Sequence, residues 1–332
     1  NIPSKWIVHE NSVTIDIGQV FAKSISWNKI RYLNYDHPVL SYIVDLTEPQ
    51  EELCAILPPS IYYQIFRAPT EYYNDASAEF KMIFAKFFND RNNWDKDTFG
   101  NVHKEDKKHS FYEFIRNVCR ILFELWNTAL SENYCLEGTW HHQVLDPIFK
   151  EITKNIAGCF WNWGEACSLA SSFRKETYSR KPDLWLLQTI NHTIQETLYE
   201  EASGSPFQPD QTKITSDNFK LFRLGRDSKY KMDVELIFNN LQYLRNGKNL
   251  LQQIHEIEVF LFQAYETRLR ICIIDQPGSP FYRVRKVFDL MIPYKMVDDE
   301  VFILGDMQKA PIHPPGTSFD INISDYPTFP SP

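Results

Sequence analysis

Apolar residues recur at helical spacing in four segments of the chain. The pattern predicts helices at residues 75–91, from Ser110 onward, at about 137–157 and at about 216–244. Ser110 is a residue type that caps helix N-termini, and Pro147 should kink or break the third helix. The apolar stripe of the second helix comprises Phe111, Phe114, Ile115, Val118, Leu122, Leu125 and Trp126. The first half of the chain is therefore expected to be mainly helical.

Shorter apolar runs predict strands in the second half. Residues 184–187 and 193–202 flank a turn-like connection and predict a β-hairpin. Further strands are predicted at residues 257–264, 269–274 and 282–288. Residues 12–17 and 42–46 also alternate between apolar and polar side chains. This order of helices, hairpin, helix and strands is typical of an α/β or α+β protein in which helices flank a central sheet.

Composition narrows the class of protein without changing this outline. Of 332 residues, 43% are hydrophobic and the net charge is −8. These values fit a globular chain with a large core and exclude a uniformly basic nucleic-acid coat protein. No apolar run approaches the ~20 residues of a membrane span. The six cysteines form no CxxC pair, so we expect free thiols in a reducing compartment.

Several enzyme classes lack their sequence signatures. The chain contains no GxxxxGK(S/T) or GxGxxG phosphate loop, no HExxH zinc motif and no GxSxG nucleophile elbow. These absences argue against nucleotide hydrolysis and against a nucleotide cofactor. His141 and His142 are adjacent, so on a regular helix they point to different faces and should make a poor metal pair.

One group of acidic residues remains as candidate chemistry. Asp183 stands at the start of the first hairpin strand, and Glu200 and Glu201 stand near the end of the second. These strand ends are neighbours in a hairpin, so Asp183 and one glutamate should converge while the other glutamate faces the opposite side of the sheet. Two nearby carboxylates need a cation or a raised pKa, and a divalent ion with oxygen ligands is the simplest answer. The alternative is a solvated acidic turn.

Short motifs around these acids resemble the PD-(D/E)XK nuclease family. The resemblance is to a divergent fungal group whose members occur in Crinkler-type effectors and mobile-element-associated proteins. The matching segments run from Arg180 to Asp183, from Glu201 to Ser203, and from Asp217 to Leu221 with Arg226-Asp227, preceded by Glu137-x-x-Trp140. The resemblance implies an α/β fold with a PD-(D/E)XK-like central mixed sheet flanked by helices and a mainly helical N-terminal region.

The resemblance, which covers roughly residues 130–295, and the pattern of the remaining residues together predict a division of the chain. Residues 131–305 would form the nuclease-like core. Residues 1–130 would form a mixed, mainly helical region that could bind a protein partner, and residues 306–332 a proline-rich tail over the surface. DNA or RNA would be the partner of the core, and no membrane is expected. The location implied is intracellular, and nuclear rather than cytoplasmic.

The family's catalytic residues can be transferred to this chain one by one. The candidates are Asp183, Glu201, Lys220 and Glu137. Asp183 and Glu201 would bind Mg²⁺, with Glu137 as a supporting acid. The family's lysine belongs two residues after Glu201, where Ser203 stands. Lys220 could replace it from the following helix, since an ammonium group there could stabilise charge in the transition state.

Three alternatives stay open. Lys213 is a weaker candidate for the missing lysine. If neither lysine reaches the site, the same fold would be a non-catalytic nucleic-acid or protein interaction module, in an effector or a mobile-element regulator. The last alternative is a structural interaction protein in which Asp183 and Glu201 do not converge.

Basic residues cluster in two stretches of this acidic chain. Residues 213–231 carry six basic and two acidic side chains, and residues 268–286 carry five and one. Such stretches can contact phosphates, although a solvated sheet face would have the same pattern. The candidate nucleic-acid contacts are Arg180, Lys181, Arg223, Arg226, Arg268 and Arg270. The aromatic run at residues 160–163 could stack on bases, but we interpret it as core.

Overall fold

The computed structural model describes most of residues 78–292 and shorter segments before them. The described residues are 6–10, 13–17, 19–20, 41–47, 61–62, 65, 78–94, 104–108, 112–127, 135–154, 156–164, 166–174, 180–190, 193–241, 254, 256–278 and 280–292. Three predictions lie outside them: the proline-rich tail, the Ser110 cap and the centre of the hairpin turn at residues 191–192.

The described residues include six α-helices, among which are the four predicted ones. They are α1 (Ala78–Asn89), α2 (Tyr112–Asn127), α3 (Glu137–Trp140), α4 (Asp146–Thr153), α5 (Leu169–Phe173) and α6 (Gln211–Leu241), with 3₁₀ turns at Arg91–Asn93 and Lys104–Lys108. A π-helical turn, His141–Leu145, joins α3 to α4 just before Pro147. The predicted break is thus a widened turn. Helix α6 begins earlier than predicted because the Asp210 carboxylate accepts hydrogen bonds from the N–H groups of Thr212 (2.9 Å) and Lys213 (3.1 Å), as an N-cap does.

The described residues also include eleven β-strands. They are β1 (Ile7–Glu10), β2 (Val13–Asp16), β3 (Ile43–Leu46), β4 (Cys159–Trp163), β5 (Leu184–Ile190), β6 (Thr193–Ala202), β7 (Gly204–Ser205), β8 (Gln208–Pro209), β9 (Val259–Tyr265), β10 (Arg268–Gly278) and β11 (Phe281–Met291). The predicted hairpin is confirmed as β5–β6, and the three later strands are confirmed as β9, β10 and β11. Strand β4 was not predicted as a strand.

Seven strands form one mixed sheet in the order β3-β11-β10-β9-β6-β5-β4. The β6–β9 and β11–β3 pairs are parallel, and the other pairs are antiparallel. Helix α6 lies in the connection between β6 and β9, as the parallel pairing of successive strands requires. The protein is therefore a mixed α/β fold with helices flanking the sheet. Strand β3 comes from the predicted N-terminal region, so this region contributes an edge strand as well as helices.

The sheet separates two apolar cores. One core joins α6 to the sheet and includes Trp185, Tyr199, Leu221, Phe222, Leu224, Leu261 and Ile274. The other joins the α3–α4 segment to the opposite face and includes Trp140, Val144, Phe149, Leu184, Leu186, Leu198 and Phe262. The buried residues of β5 and β6 therefore lie in one of two environments, according to the face that each side chain occupies.

The aromatic run at residues 160–163 divides between core and surface. Trp161 and Trp163 pack against the α3–α4 core, and the Trp161 indole donates a hydrogen bond to the Thr153 hydroxyl at 2.7 Å. Phe160 points the other way and is 46% exposed. The alternation is that of a strand at a sheet edge, where only one face is covered.

Helices α1 and α2 pack on each other through a third apolar cluster. It contains Ile83, Phe87, Trp94, Tyr112, Ile115 and Cys119. The five cysteines within the described segments are free thiols, as predicted for them. No helix in the described ranges combines the length and apolar character needed to cross a membrane.

Replacing Gly225 by valine should destabilise the protein. A Cβ atom at Gly225 would lie 2.7 Å from Ile274 and 2.8 Å from Leu261, because α6 packs closely on β9 and β10. Overpacking of this kind costs about 1–3 kcal/mol, so thermal unfolding followed by circular dichroism should show a lower Tm. The matched control is Gly138→Ala, where a Cβ would meet nothing within 4 Å and helix propensity favours alanine. An unchanged Tm for Gly225→Val would contradict the close packing.

Candidate functional site

The pairing of β5 with β6 places Asp183 beside Glu201. Leu184 pairs with Glu200, so Asp183, one residue earlier, lies opposite Glu201. Residues opposite each other on antiparallel strands share a face of the sheet. The Asp183 carboxylate also accepts a hydrogen bond from the Ala202 N–H at 2.9 Å, which holds it at this edge. Asp183 and Glu201 therefore converge. The metal-site hypothesis requires this convergence, whereas the alternative of a solvated acidic turn does not.

Glu201 is a buried carboxylate with one cationic partner. Its side chain is 1% exposed, and its Oε2 lies 2.7 Å from the Lys220 Nζ. Its Oε1 is buried and accepts no hydrogen bond from the described part of the chain. Burial raises the pKa of Glu201 well above its usual range, and the nearby Asp183 raises it further, while Lys220 acts in the opposite direction. The site is thus short of positive charge.

Lys220 reaches this edge from α6, one of two lysines that do so. Lys213 forms an ion pair with Glu137 of α3, and its Nζ lies 3.3 Å from the Ala202 carbonyl oxygen. Glu137 therefore reaches the edge of the site through Lys213, and its carboxylate is neutralised by that lysine. Lys213, Asp217 and Lys220 follow one another at i, i+4 and i+7, so they share a face of α6.

Ser203 takes up the place where the family's lysine is expected. It is fully buried, its hydroxyl accepts a hydrogen bond from the Gln263 amide at 3.0 Å, and its N–H donates to the Ala264 carbonyl at 2.7 Å. The hydroxyl also bonds to the Asp217 carboxylate, although burial raises the pKa of Asp217 overall. Ser203 supplies no charge, so the ammonium group at this edge comes from Lys220.

Glu200 faces the other side of the sheet, as predicted. Its carboxylate is fully buried and lies 2.7 Å from the His141 Nε2. Burial raises the pKa of Glu200 to about 7, against the effect of His141. Burial alone would lower the pKa of His141, but the hydrogen bond and charge of Glu200 raise it to about 9.

The two adjacent histidines do not diverge as predicted. His141 Nδ1 lies 3.5 Å from Asp146 Oδ1, and His142 Nδ1 lies 2.9 Å from Asp146 Oδ2. The prediction assumed a regular helix, but both residues lie in the π-helical turn. Such a turn aligns residue i with residue i+5, and it brings both rings to the same aspartate.

The two α6 arginines proposed as nucleic-acid contacts are buried. Arg223 is 8% exposed and Arg226 is 5% exposed. The Arg226 guanidinium bonds the buried Asp227 carboxylate, which also pairs with Arg174 at 2.9 Å. A guanidinium buried in this way is not accessible to a phosphate, so the structure does not support Arg223 or Arg226 as a nucleic-acid contact. The sequence showed their charge but not the face of α6 that the sheet would cover.

The remaining basic candidates lie nearer the surface. Lys181 is exposed and stands two residues before Asp183. Arg180 is half-buried. Arg270 shares a row across the sheet with Gln263 and Glu201, which places it on the same face, about 10 Å from Glu201 at ordinary strand spacing.

Asp289 neutralises part of this basic surface. Arg268 pairs with Asp289 at 3.0 Å, and Arg270 lies 3.8 Å from the same carboxylate. Arg270 also covers the Tyr265 ring at 4.8 Å. On β11, Arg283 and Arg285 both form ion pairs with the buried Asp275, so these two members of the basic stretch 268–286 are already neutralised in part.

Three residues near the two glutamates were not among the predicted site residues. The structure adds Asp217 and Gln263 on the Glu201 face, and Asp146 on the Glu200 face. The i, i+4, i+7 spacing of Lys213, Asp217 and Lys220 was a usable signal. No pattern in the sequence predicted the contact of Asp146 with both histidines, because this contact depends on the π-helical turn.

Comparisons with known proteins do not identify the chain. No protein-family model, curated protein or solved structure matches it. The site is therefore interpreted from its own geometry.

Replacing Glu201 by glutamine should stabilise the metal-free protein. The raised pKa of Glu201 means that the folded state binds more protons, so the free energy of unfolding falls as pH rises from the ordinary pKa toward the raised one. The glutamine side chain has nearly the same shape and no charge, so the variant does not undergo this fall in the free energy of unfolding. We therefore expect a higher Tm for Glu201→Gln than for the wild type, measured at neutral pH with a chelator present.

Glu124→Gln is the control for this measurement. Glu124 is 60% exposed and pairs with Arg120 on the surface of α2, so the change should stay within about 0.5 kcal/mol. A lower Tm for Glu201→Gln would mean that the Lys220 ion pair outweighs the burial of the charge.

Proposed function

We propose that the chain is a metal-dependent nuclease that hydrolyses phosphodiester bonds at the edge formed by Asp183, Glu201 and Lys220. The observation that carries this proposal is the convergence of two carboxylates and one ammonium group on a single sheet edge. A buried acid with a raised pKa beside a second acid is a frequent mark of a functional site.

The order of elements supports a PD-(D/E)XK-like assignment. Helix α3 carries Glu137, the hairpin β5–β6 presents Asp183 and Glu201, and α6 presents Lys220 before the closing strands β9 and β10. This is the sequence of parts that the motif resemblance implies, in the same chain order. The mixed sheet supplies the parallel β6–β9 pair that places the start of α6 over the acidic edge.

The residues at this edge fit a hard divalent cation. Asp183 and Glu201 offer oxygen ligands, which Mg²⁺ prefers, and Glu201 Oε1 accepts no hydrogen bond. When bound, Mg²⁺ would polarise a phosphate oxygen and lower the pKa of an attacking water. Asp217 adds negative charge near the site.

Lys220 would take the role of the family's strand lysine. Its side chain is 29% exposed, so the ammonium group can meet solvent and substrate while it remains near Glu201. Charge develops on the phosphate oxygens during hydrolysis, and a positioned ammonium group stabilises it. The attacking water loses a proton in the reaction, and the leaving oxygen gains one.

The second candidate function is a non-catalytic nucleic-acid-binding module. It is favoured by the direct 2.7 Å ion pair between Lys220 and Glu201. In such a module this pair would neutralise Glu201 permanently, and no divalent ion would be needed.

Cleavage assays separate the two functions. With Mg²⁺ or Mn²⁺ and mixed DNA and RNA substrates, the wild type should cleave, Asp183→Asn and Glu201→Gln should fall to background, and Lys220→Met should lose about 10²–10³-fold in rate. Glu124→Gln and Lys154→Met are matched surface controls that should keep full activity. Cleavage that survives both carboxylate changes would contradict the proposed site.

Loss of cleavage and retention of salt-sensitive binding would select the non-catalytic module. Lys181→Ala should weaken such binding on all sequences and reduce the slope of log affinity against log salt by about 1, as for a single phosphate contact. Lys108→Ala, at an exposed lysine in a separate 3₁₀ turn, should leave the slope unchanged. Equal slopes for both variants would exclude Lys181 from the interface.

A further inference from the structure

A second group of potential metal ligands lies on the face of β6 opposite Glu201. His141, His142 and Asp146 each offer one ligand atom, and these atoms all lie within 4.8 Å of one another. The three residues belong to the π-helical turn and the first position of α4. None of them takes part in the proposed phosphodiester chemistry.

The π-helical turn is what brings these ligands together. The Asp146 N–H bonds to the His141 carbonyl across five residues, so Asp146 stands over both His141 and His142. His141 Nδ1 lies 3.5 Å from one carboxylate oxygen, and His142 Nδ1 lies 2.9 Å from the other. Two ligands of a tetrahedral zinc ion are about 3.3 Å apart when each bond is about 2.0–2.1 Å long. The two distances to Asp146 are therefore close to what a zinc ion needs.

Glu200 orients the His141 ring through a contact with its Nε2 atom. Its buried carboxylate lies 2.7 Å from His141 Nε2, so Nε2 is best placed to carry the proton and donate it to Glu200. In the neutral ring, which is the form that binds a metal, Nδ1 then carries the lone pair, and this lone pair is directed toward Asp146. Metal-binding histidines usually have such a carboxylate on the second ring nitrogen, where it fixes the ring and its tautomer.

Asp146 provides an independent sign that a ligand is expected here. It is 4% exposed, yet its Oδ1 accepts no hydrogen bond from the residues that the structure describes. The His141 Nδ1, 3.5 Å from this oxygen, is too distant for a good hydrogen bond. Buried carboxylate oxygens are rarely left without a partner, and a cation would provide one.

We propose that His141, His142 and Asp146 bind a transition-metal ion of the Zn²⁺ type. Two imidazoles and a carboxylate suit zinc rather than Mg²⁺, which prefers oxygen ligands alone. His142 is 67% exposed, so a fourth position faces solvent. The Trp163 ring lies 6.0 and 5.7 Å from the two imidazoles and covers one side of the group.

Zinc at this position would fasten the α3–α4 segment to the sheet. The connection runs from the ion through His141 to Glu200 near the end of β6. This role does not rest on the proposed nuclease activity, because the ligands and Glu201 lie on opposite faces of the strand. The two metal sites would therefore differ both in location and in ion.

Zinc titration of the full-length chain tests the proposal. Purified metal-free protein, competing with a chromophoric chelator, should bind one equivalent of Zn²⁺ and show a higher Tm with it. His142→Ala, at an exposed position that should not disturb folding, should weaken binding at least tenfold, the lower end of what outer-shell changes alone cause. Gln143→Ala, at the exposed neighbour in the same turn, is the control and should bind zinc normally.

Two further variants make the result specific. Glu200→Gln preserves shape but removes the charge behind His141, so affinity should fall about 10–100-fold. Glu201→Gln should leave zinc affinity unchanged, whatever the outcome of the cleavage assays. With Co²⁺ in place of zinc, the spectrum should show d–d bands without a thiolate charge-transfer band, which excludes the cysteines.

Three results would overturn the proposal. The first is a wild type that binds no zinc. The second is equal zinc affinity in wild type and His142→Ala. The third is loss of zinc binding in Glu201→Gln, which would place the ion on the other face.

Discussion

The register between β5 and β6 determines the chemistry of both faces of the sheet. Because Leu184 pairs with Glu200, Asp183 is aligned with Glu201, and two consecutive glutamates are directed into different environments. A slip of one residue would exchange these environments. The register is held by apolar side chains such as Trp185 and Tyr199, which fill the α6 core. The polar chemistry of the molecule therefore depends on the packing of its aromatic residues.

Each of the two glutamates is buried with one basic partner and one oxygen that accepts no hydrogen bond. Burial of a carboxylate is unfavourable unless its charge and its lone pairs are satisfied. A stable scaffold alone would not require two such residues in succession. Features of this kind are expected where a protein keeps local instability for a function. The two positions differ in their partners, since a lysine meets Glu201 and a histidine meets Glu200.

The parts of the fold with strong local patterns could be predicted from the sequence. Helix α2 and the β5–β6 hairpin have clear apolar periodicity, and the acidic residues of the hairpin were placed by strand geometry alone. Strand β4 was overlooked because its aromatic side chains resemble a core cluster until the pairing with β5 is known. The burial of Arg226 and the convergence of His141 with His142 had no local signal, since one depends on tertiary packing and the other on a π-helical turn.

The parallel pairing of β3 with β11 has a consequence for the order in which the molecule can be assembled. Ile43 pairs with Tyr282, so the edge strand must wait for a partner about 240 residues later in the chain, a separation typical of slow-folding topologies. During synthesis, residues 43–46 leave the ribosome long before β11 exists. Until then this short segment lacks its strand partner, and unpaired strand-forming segments are prone to association with other chains. Its length of four residues limits that risk while the rest of the sheet is being made.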